Sequence, residues 1–428
     1  MRIALVSDTH LGFAHRTERE GDAFTQFKQA AEMIGRLQPD LVLHPGDFFD
    51  EKIPLQETWH EAFEILSMFY KAPASEVKIT QYQREGHSTP FLFHGIPVVA
   101  IAGTHEYRGR DYKNALQVLQ SAGFLACLHA SSVEVRKGEE HVVIQGLSGV
   151  PEKHARDALV AWNPVPQKGA HNLLVLHQSI EEFLPVDDDM TATIGLKDLP
   201  SGFDLCIDGH LHWTSVTDLP QGGSLLVVGS TVLTQAKNLE SKKPKGFYIY
   251  DTQTRALDFH EIPVQRRLFY HKFSFKNASA EEVLQAVEEA IGQDLKTPLE
   301  LKPIIRLKLT GTLSTGLSAA DVSVESLRDK YAEKALFSLS KHFSMESFKH
   351  RMEELRELQK ERASVAKIGM ALLERNLAQT GFNNAFDVQR VFDLLADKDL
   401  DIVIKVLGEM PVGEGLDGAE PKSGVGGV

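Results

Sequence analysis

Five short polar motifs in the first 212 residues contain the side chains best suited to binding metal ions. In chain order they are Asp8-Thr9-His10, Gly46-Asp47-Phe48-Phe49-Asp50, Gly103-Thr104-His105-Glu106, His177, and Gly209-His210-Leu211-His212. Each motif follows a short apolar run of the length of a β-strand. Because strand ends project side chains into a shared crevice, residues distant in sequence can meet there. The five motifs together therefore predict one metal centre.

The residue types indicate which reaction such a centre would serve. Hydrolysis of a phosphodiester needs a hydroxide nucleophile and neutralisation of charge on the phosphoryl oxygens, and two cations roughly 3.5–4 Å apart supply both. One carboxylate must then bridge the ions. Imidazole-rich ligation favours manganese, iron or zinc over magnesium. Eighteen histidines could place a few near strand ends by chance, but five ordered motifs are much harder to obtain that way.

The elements that must position these motifs can be read from the apolar periodicity. Short apolar runs alternate with amphipathic stretches over residues 1–260, which predicts a mixed α/β fold with helices packed on sheet faces. The runs are Ile3–Ser7, Asp40–Leu43, Ile96–Ile101, His141–Gly146, Leu173–Leu176, Leu205–Ile207, Leu225–Val228 and Phe247–Tyr250. Helices are predicted at about Phe24–Leu37, Gln56–Met68 and Tyr112–Ala122. The polar segment Lys71–Gly95 is predicted to be a long surface loop.

Changes in the pattern of apolar and polar residues predict where the domains of the chain begin and end. The first domain is predicted to cover residues 1–262. A second, small domain over residues 266–342 is predicted from a strand at Leu268–Phe275, a capping box at Ser279-x-x-Glu282 and a strand at Ile304–Leu309. Residues 343–410 have the pattern of amphipathic helices, and the tail 411–428, with six glycines and two prolines, is predicted to be disordered.

Composition limits the classes of protein that the chain can belong to. Its 428 residues are 42% hydrophobic and 25% charged, which is typical of a soluble globular protein. No apolar run is long enough to span a membrane, and the apolar stretch at the N-terminus is too short for a signal peptide. Cys127 and Cys206 are the only cysteines, which fits a reducing, cytoplasmic setting. A net charge of −13 argues against a chain that coats nucleic acid over its whole surface, although a small basic groove remains compatible with it.

The order of the five motifs resembles the calcineurin-like metallophosphoesterase superfamily over about residues 1–260. The resemblance implies a four-layer fold, with a two-sheet β-sandwich flanked by helices. It implies that His105 stabilises the transition state or protonates the leaving oxygen. It also implies two sets of ligands that share Asp47 as the bridge. The first metal would be held by Asp8, His10, Asp47 and His212, and the second by Asp47, Thr104, His177 and His210.

Thr104 is a departure from this pattern, because the superfamily normally has Asn at that position. The threonine could ligate through its hydroxyl or a water, the second metal site could be weaker, or Thr104 could only shape the turn. Glu106 is predicted to be an exposed loop charge rather than a partner of the ligands. His44 lies inside a buried-looking strand and is predicted to be a core residue.

The arrangement of domains resembles the meiotic-recombination-eleven nuclease family, whose bacterial counterpart is SbcD. The segments that carry this resemblance are Asp8-Thr9-His10-Leu11-Gly12, Gly46-Asp47-Phe48-Phe49, Lys245-Gly246-Phe247-Tyr248-Ile249 and Pro303-Ile304-Ile305-Arg306-Leu307. It implies a manganese-dependent 3′–5′ exonuclease and endonuclease that acts on DNA ends in double-strand-break repair. Two Mn²⁺ would bind per chain, with iron or zinc as possible substitutes.

The same resemblance implies partners. One partner is a second copy of this chain, which would form a homodimer through Gln56–Met68 and Tyr112–Ala122. The other is a coiled-coil ABC-type ATPase that would dock on residues 343–410. The chain has no Gly-x-x-x-x-Gly-Lys-Ser/Thr loop, so an ATP-driven step would need another chain. Such a protein would associate with the nucleoid. Alternatively, the helices of residues 343–410 pack against each other as a helical hairpin and bind no partner.

Basic residues beside the motifs are candidates for DNA contacts, since arginines near a metal centre suit phosphate binding. They are Arg16, Arg108, Arg110 and Lys113, and further candidates are Arg19, Lys242, Lys243, Lys245, Arg266 and Arg267. Taken singly, each is more often a solvated surface charge.

Two other functions remain open: a small-molecule phosphodiesterase or phosphomonoesterase on the same scaffold, and a scaffold protein in which Thr104 has impaired the nuclease.

Overall fold

The protein is described by a computed structural model over residues 1–82, 88–108, 112–184, 194–314, 316–344 and residue 392. The predicted helical segment 343–410 and the tail 411–428 therefore lie almost entirely outside the described residues. Arg110 lies outside them as well. Within the described residues, no helix is both long and apolar enough to cross a membrane.

The described residues form an α/β structure whose strands are numbered here in chain order. The helices are α1 (Asp22–Leu37), α2 (Gln56–Lys71), α3 (Ala115–Ser121), α4 (Glu152–Trp162), α5 (Ala280–Asp294) and α6 (Glu325–Tyr331). The strands are β1 (Arg2–Leu5), β2 (Leu41–His44), β3 (Lys78–Tyr82), β4 (Ser88–Phe91), β5 (Val98–Ile101), β6 (Ala126–Leu128), β7 (Ser131–Lys137), β8 (Glu140–Gly146), β9 (His171–Leu176), β10 (Leu205–Asp208), β11 (Ser215–Asp218), β12 (Ser224–Val227), β13 (Gly246–Asp251), β14 (Leu257–Glu261), β15 (Leu268–Ala278), β16 (Ile304–Leu313) and β17 (Leu336–Ser344).

Two sheets face each other in the first 262 residues. One has the order β14-β13-β1-β2-β5-β6, and the other has the order β11-β12-β10-β9-β8-β7-β3-β4. Strands β2, β5 and β10 are buried along their whole length, as expected for apolar strands covered on both faces. Side chains such as Leu5, Leu43 and Ile207 fill the space between the two sheets.

Helices cover the outer faces of both sheets. Phe27, Ile34 and Phe69 from α1 and α2 pack in one cluster with residues of β1, β2 and β5. Leu159 of α4 packs in another cluster with Leu174 and Cys206 of the second sheet. The resulting order of layers is helix, sheet, sheet, helix, so the predicted four-layer sandwich is confirmed.

A third sheet follows, in which β15, β16 and β17 run parallel. Helix α5 begins at the predicted capping box, where Ser279 and Glu282 accept hydrogen bonds from each other's backbone N–H. Its buried residues Val283, Val287 and Ile291 pack on the sheet. This unit agrees with the strands and helix predicted within residues 266–342.

Strands β3 and β4 show that the prediction of one long loop over Lys71–Gly95 is wrong. They pair with each other in antiparallel fashion, and β3 also pairs with β7. In β3 the side chains of Ile79 and Gln81 are buried while their neighbours are not. A five-residue strand with this alternation and only one large buried aliphatic side chain carries too weak a pattern to be recognised without its partner strands.

Candidate metal centre

The loops after β1 and β2 place the first two motifs side by side. The backbone N–H of Asp8 donates to Gly46 O at 3.1 Å, and that of His10 donates to Asp47 O at 3.0 Å. Asp8, His10, Asp47 and His210 all have positive φ angles, between 44° and 68°. Non-glycine residues seldom adopt this conformation, and such strain persists where the surrounding structure holds a functional geometry.

Two glycines allow the motifs to approach closely. A Cβ atom at Gly46, which has φ of +104°, would lie 2.3 Å from Nδ1 of His177. A Cβ atom at Gly103 would lie 2.1 Å from Oδ1 of Asp47. Glycine is therefore required at both positions for the ligand-bearing loops to meet.

The structure brings together six of the seven predicted metal ligands, and His105 lies with them. The side-chain nitrogen and oxygen atoms in each of three groups lie within 4.8 Å of one another. These groups are Asp8, His10 and His212; His10, Asp47 and His105; and Asp47, His177 and His210. Asp47 and His10 each belong to two of the groups, and of these two residues only Asp47 has the carboxylate that the predicted bridge requires. The assignment of each residue to a particular ion stays a prediction.

Hydrogen bonds on the outer side of two imidazoles aim their inner nitrogens into the centre. His10 Nδ1 lies 3.0 Å from Oδ1 of Asp50, and His212 Nδ1 bonds to the hydroxyl of Thr234. The Nε2 atoms of His10 and His212 consequently face each other at 3.2 Å. A metal-binding histidine characteristically has such an outer partner, which fixes its tautomer.

His177 provides the clearest test of whether these residues fit a metal ion. Its Nδ1 bonds to the carbonyl of Pro45 at 2.7 Å, so its Nε2 points into the site. This Nε2 is fully buried and makes no hydrogen bond within the described residues, although it lies 3.0 Å from Oδ2 of Asp47. A buried nitrogen without a hydrogen bond is costly unless it binds something else. The histidine and aspartate donors fit transition-metal ions.

In the protein without metal, burial and neighbouring charges shift the pKa values of the aspartates and histidines in the centre. Burial raises the pKa of Asp8 to about 6. Burial would also raise the pKa of Asp47, but the adjacent His177 holds it well below its usual value. Burial opposes protonation of His177, and the carboxylate of Asp47 nevertheless raises its pKa to about 10. Burial lowers the pKa of His210 to about 3. The centre therefore attracts positive charge at Asp47 and offers a neutral imidazole at His210.

His105 and Thr104 lie at the mouth of the site. The side chain of His105 is 42% exposed and its Nδ1 lies 2.7 Å from the carbonyl of Asp50. Both residues line an open cavity of about 520 Å³ with Asp50 and Ile53. His105 is thus accessible to a substrate, while the ligating role of Thr104 stays a prediction.

Glu106 corrects one expectation, because it is buried rather than an exposed loop charge. Its carboxylate accepts hydrogen bonds from the backbone N–H of Phe49 and of Gly103, each at 2.7 Å. Burial raises the pKa of Glu106 to about 7. Through these two hydrogen bonds, Glu106 connects the loop that carries Asp47 to the loop that carries His105. Its position in the third motif was the only sequence signal for this role.

Asp50 and Thr234 are site residues that the sequence interpretation gave no role. Asp50 was visible as the last residue of the second motif, and its side chain orients His10. Thr234 has no neighbouring motif in sequence and contacts His212 only through the fold. Sequence pattern alone could have drawn attention to the first of these two residues but not to the second.

His44 is buried, as predicted for a core residue, and accepts a hydrogen bond from Gly46 N at 3.3 Å. Burial lowers its pKa to about 3. Since the unfolded chain takes up this proton near pH 6.5, the stability contributed by neutral His44 is lost progressively as pH falls from about 6.5 towards 3. Between about pH 7 and pH 5, we expect metal-free wild type to lose roughly 2 kcal/mol more unfolding free energy than His44→Gln. Urea denaturation of both proteins at the two pH values measures this difference, and equal losses would contradict it.

The candidate DNA-contacting residues differ in their surroundings. Arg16 and Lys113 are exposed. Arg108 lies over the ring of Tyr112 at 5.4 Å, and Arg110 lies outside the described residues. Two further candidates prove to be structural: Lys245 and Arg266 are buried and bonded. The DNA contacts of the others stay a prediction.

The comparisons with known proteins agree with this geometry. Residues 1–213 match the family described as calcineurin-like phosphoesterase. This part of the chain belongs to that family. The phosphoesterase match ends just after His212, so it includes all five motifs, and the clustered His and Asp side chains form a site for a pair of metal ions.

Several curated proteins resemble the phosphoesterase beyond this region. The DNA double-strand break repair protein Mre11 of Sulfolobus acidocaldarius is 25% identical over 338 residues, covering 77% of this chain and 80% of that protein. Mre11 of Saccharolobus solfataricus is 25% identical, covering 59% of this chain and 60% of that protein. The human double-strand break repair protein MRE11 is 24% identical, covering 72% of this chain and 50% of that protein. The alignment thus spans only half of the human relative.

Among solved structures, purple acid phosphatase from yellow lupin (Lupinus luteus) seeds has a TM-score of 0.36 and 12% identity. This match covers 60% of the present chain and 52% of the phosphatase chain. The similarity is too low to support an argument about function.

Proposed function

We propose that this phosphoesterase is a two-metal DNA nuclease that processes DNA ends in double-strand-break repair. Manganese is the proposed ion, and exonuclease and endonuclease cleavage are the proposed reactions. The observation that carries the proposal is the open cavity of about 520 Å³ lined by Thr104 and His105. His105 in turn lies within one group of donor atoms with His10 and Asp47. An open site accommodates a polymer, and the relatives named above are double-strand-break repair proteins.

The proposed roles of these residues are supported by the grouping of the donors, with Asp8, His10 and His212 in one group and Asp47, His177 and His210 in another. Asp8, His10, Asp47 and His212 would hold one ion, and Asp47, Thr104, His177 and His210 the other. When bound, the two cations supply a hydroxide nucleophile and neutralise charge on the phosphoryl oxygens. The exposed imidazole of His105 would donate a proton to, or hydrogen-bond, the oxygen that leaves. Asp50 contributes by holding the rings of His10 and His105.

Replacing His105 with alanine tests the proposal. With manganese and end-labelled linear duplex DNA, we expect wild type to degrade the DNA and His105→Ala to have a kcat about a hundredfold lower, the usual effect of losing a general acid. Metal content should not change, because His105 is not among the proposed ligands. His154→Ala, at an exposed position of α4, is the matched control.

The outcomes of that experiment separate the candidate functions. Cleavage of a chromogenic phosphomonoester with intact DNA would contradict the nuclease and favour a small-molecule phosphatase. Loss of manganese from His105→Ala would contradict the role given to this residue. Inactivity of wild type towards both substrates would favour a scaffold protein.

Thr104→Asn tests whether the second metal site is weakened by threonine. An amide oxygen reaches further than a hydroxyl and is a better neutral ligand. We expect the weaker of the two manganese affinities to rise at least about tenfold, since changes even in the outer partners of ligands alter affinity 10–100-fold. Isothermal titration calorimetry measures both affinities. Unchanged affinities in Thr104→Asn would mean that Thr104 only shapes the turn.

Partners are part of the proposal. A homodimer through α2 and α3 is supported by apolar side chains that these elements and the adjoining loops expose, namely Ile53, Leu55, Tyr112 and Val118. A coiled-coil ABC-type ATPase is proposed to bind within residues 343–410. Light scattering of the free protein tests the first proposal. A binding assay with a chain truncated after residue 344, where β17 ends, tests the second.

A further inference from the structure

Trp213 stands next to the metal centre but has no part in metal binding. It follows His212 directly and is half-buried. Its side chain lines a cavity of about 70 Å³ together with Asp47, His105 and His210. A large aromatic ring therefore borders the same space as the reacting groups.

The backbone beneath Trp213 is held from several directions. The ammonium of Lys245, buried and paired with Glu240, donates to the carbonyl of His212 at 2.7 Å. The hydroxyl of Thr214 donates to Val227 O at 3.1 Å. A rigid attachment of this kind means that the ring lies in a defined place relative to the ligands.

Lys237 adds positive charge to the same wall. Its Nζ lies over one face of the Trp213 ring, 6.0 Å from the ring centre, and its side chain lines the same cavity as the ring. Proteins bind single-stranded nucleic acid with aromatic rings that stack a base and neighbouring cations that contact phosphate, and a stacked base would use the face of Trp213 opposite Lys237.

From this placement we infer that Trp213 is a stacking platform for an unpaired nucleobase of the strand being cleaved, with Lys237 contacting its phosphate backbone. The inference rests on the proposed nuclease function and specifies its substrate as a strand end with exposed bases. Trp213 is a substrate-positioning residue, because it lies beside the reacting groups without belonging to the proposed ligands. Its effect should appear only when the substrate carries bases.

A pair of substrates with the same backbone tests the inference. One is a short oligothymidylate, and the other is an abasic oligomer of equal length with the same phosphodiester linkages. Stacking of one base contributes roughly 5- to 100-fold in affinity, so wild type should show a kcat/KM ratio for the two substrates of that order. In Trp213→Leu the ratio should fall to about one, and Trp213→Phe should restore most of it, since phenylalanine retains a ring.

Fluorescence provides a second readout that does not require cleavage. The chain has three tryptophans, so a protein with Trp59→Phe and Trp162→Phe reports on Trp213 alone. With calcium in place of manganese, oligothymidylate should quench this fluorescence and the abasic oligomer should not. Manganese titration of each variant verifies that the metal centre is intact.

Each outcome bears on a different claim. If Trp213→Leu has the same ratio of kcat/KM values for the two oligomers as wild type, Trp213 is not a stacking platform. Equal cleavage of both oligomers by wild type would exclude it as well, and neither result would contradict the proposed nuclease function. If wild type cleaves none of the three substrates, neither the two oligomers nor duplex DNA, the proposed nuclease function and this inference are both overturned.

Discussion

Asp47→Asn is expected to lower kcat by at least about 10⁴-fold and to reduce the number of bound manganese ions. Oδ2 of Asp47 lies 3.0 Å from Nε2 of His177 and 4.0 Å from Nε2 of His10, so the carboxylate serves both halves of the centre. Loss of a bridging negative charge removes several kcal/mol of charge stabilisation, and each 1.36 kcal/mol is worth a factor of ten in rate.

The substitution to asparagine separates this effect from misfolding. Oδ1 of Asp47 accepts a hydrogen bond from the backbone N–H of His105 at 2.8 Å, and an asparagine carbonyl can accept the same bond. The fold should therefore persist in circular dichroism while bound metal, measured by elemental analysis, falls. Asp157→Asn, at an exposed position of α4, is the control and should keep both metal and activity. Full activity of Asp47→Asn would exclude a bridging role.

Arg266→Ala is expected to destabilise the protein by about 1.5–3 kcal/mol, the usual cost of losing hydrogen bonds to a charged group. The cost stays below that of an isolated buried charge because Asp22 keeps Arg19 as a partner, at 3.1 Å. The guanidinium Nε of Arg266 lies 2.8 and 2.9 Å from the carboxylate oxygens of Asp22, at the start of α1. Its other nitrogens donate to Lys302 O at 2.8 Å and to Glu18 O at 3.1 Å. Arg266 thus bonds the first α/β unit to the segment that leads into β16.

The neighbouring Arg267 provides a matched control, because it is exposed. Arg267→Ala should change the unfolding free energy by less than about 0.5 kcal/mol. Urea denaturation, followed by circular dichroism, measures both variants. The double variant Asp22→Ala/Arg266→Ala should cost less than the sum of the single variants, because each single substitution already removes the hydrogen bonds that join these two side chains. Strict additivity would show that the pair is not coupled.

The sequence by itself predicted eight strands of the sandwich, namely β1, β2, β5, β8, β9, β10, β12 and β13. It also identified the polar residues that follow several of them, whose assignment as metal ligands stays a prediction. Buried parallel strands such as β2 and β5 are short apolar runs, and the polar residues that follow them are recognisable without a structure. Helix α5 was equally accessible, because the capping box at Ser279 is a local signal. Such features depend on residues a few positions apart, and local chemistry is sufficient to specify them.

The prediction for α3 shows the limit of local signals. The predicted helix Tyr112–Ala122 proves to be Ala115–Ser121, which begins where Asn114 and Gln117 form a capping box. Strand β3 was missed because its stability depends on its partners β4 and β7. A strand is completed by hydrogen bonds to other segments, so a weakly apolar one cannot be recognised from its own residues.

Only the tertiary structure decided the environment of the charged groups. Glu106 has the sequence context of an exposed loop residue, yet two backbone N–H groups and complete burial make it an internal tie between loops. Arg266 resembles a surface charge until Asp22, 244 positions away in the chain, is brought beside it. Whether a charge is solvated or paired depends on what the fold places within a few ångströms of it, and that distance is not encoded in the neighbouring residues.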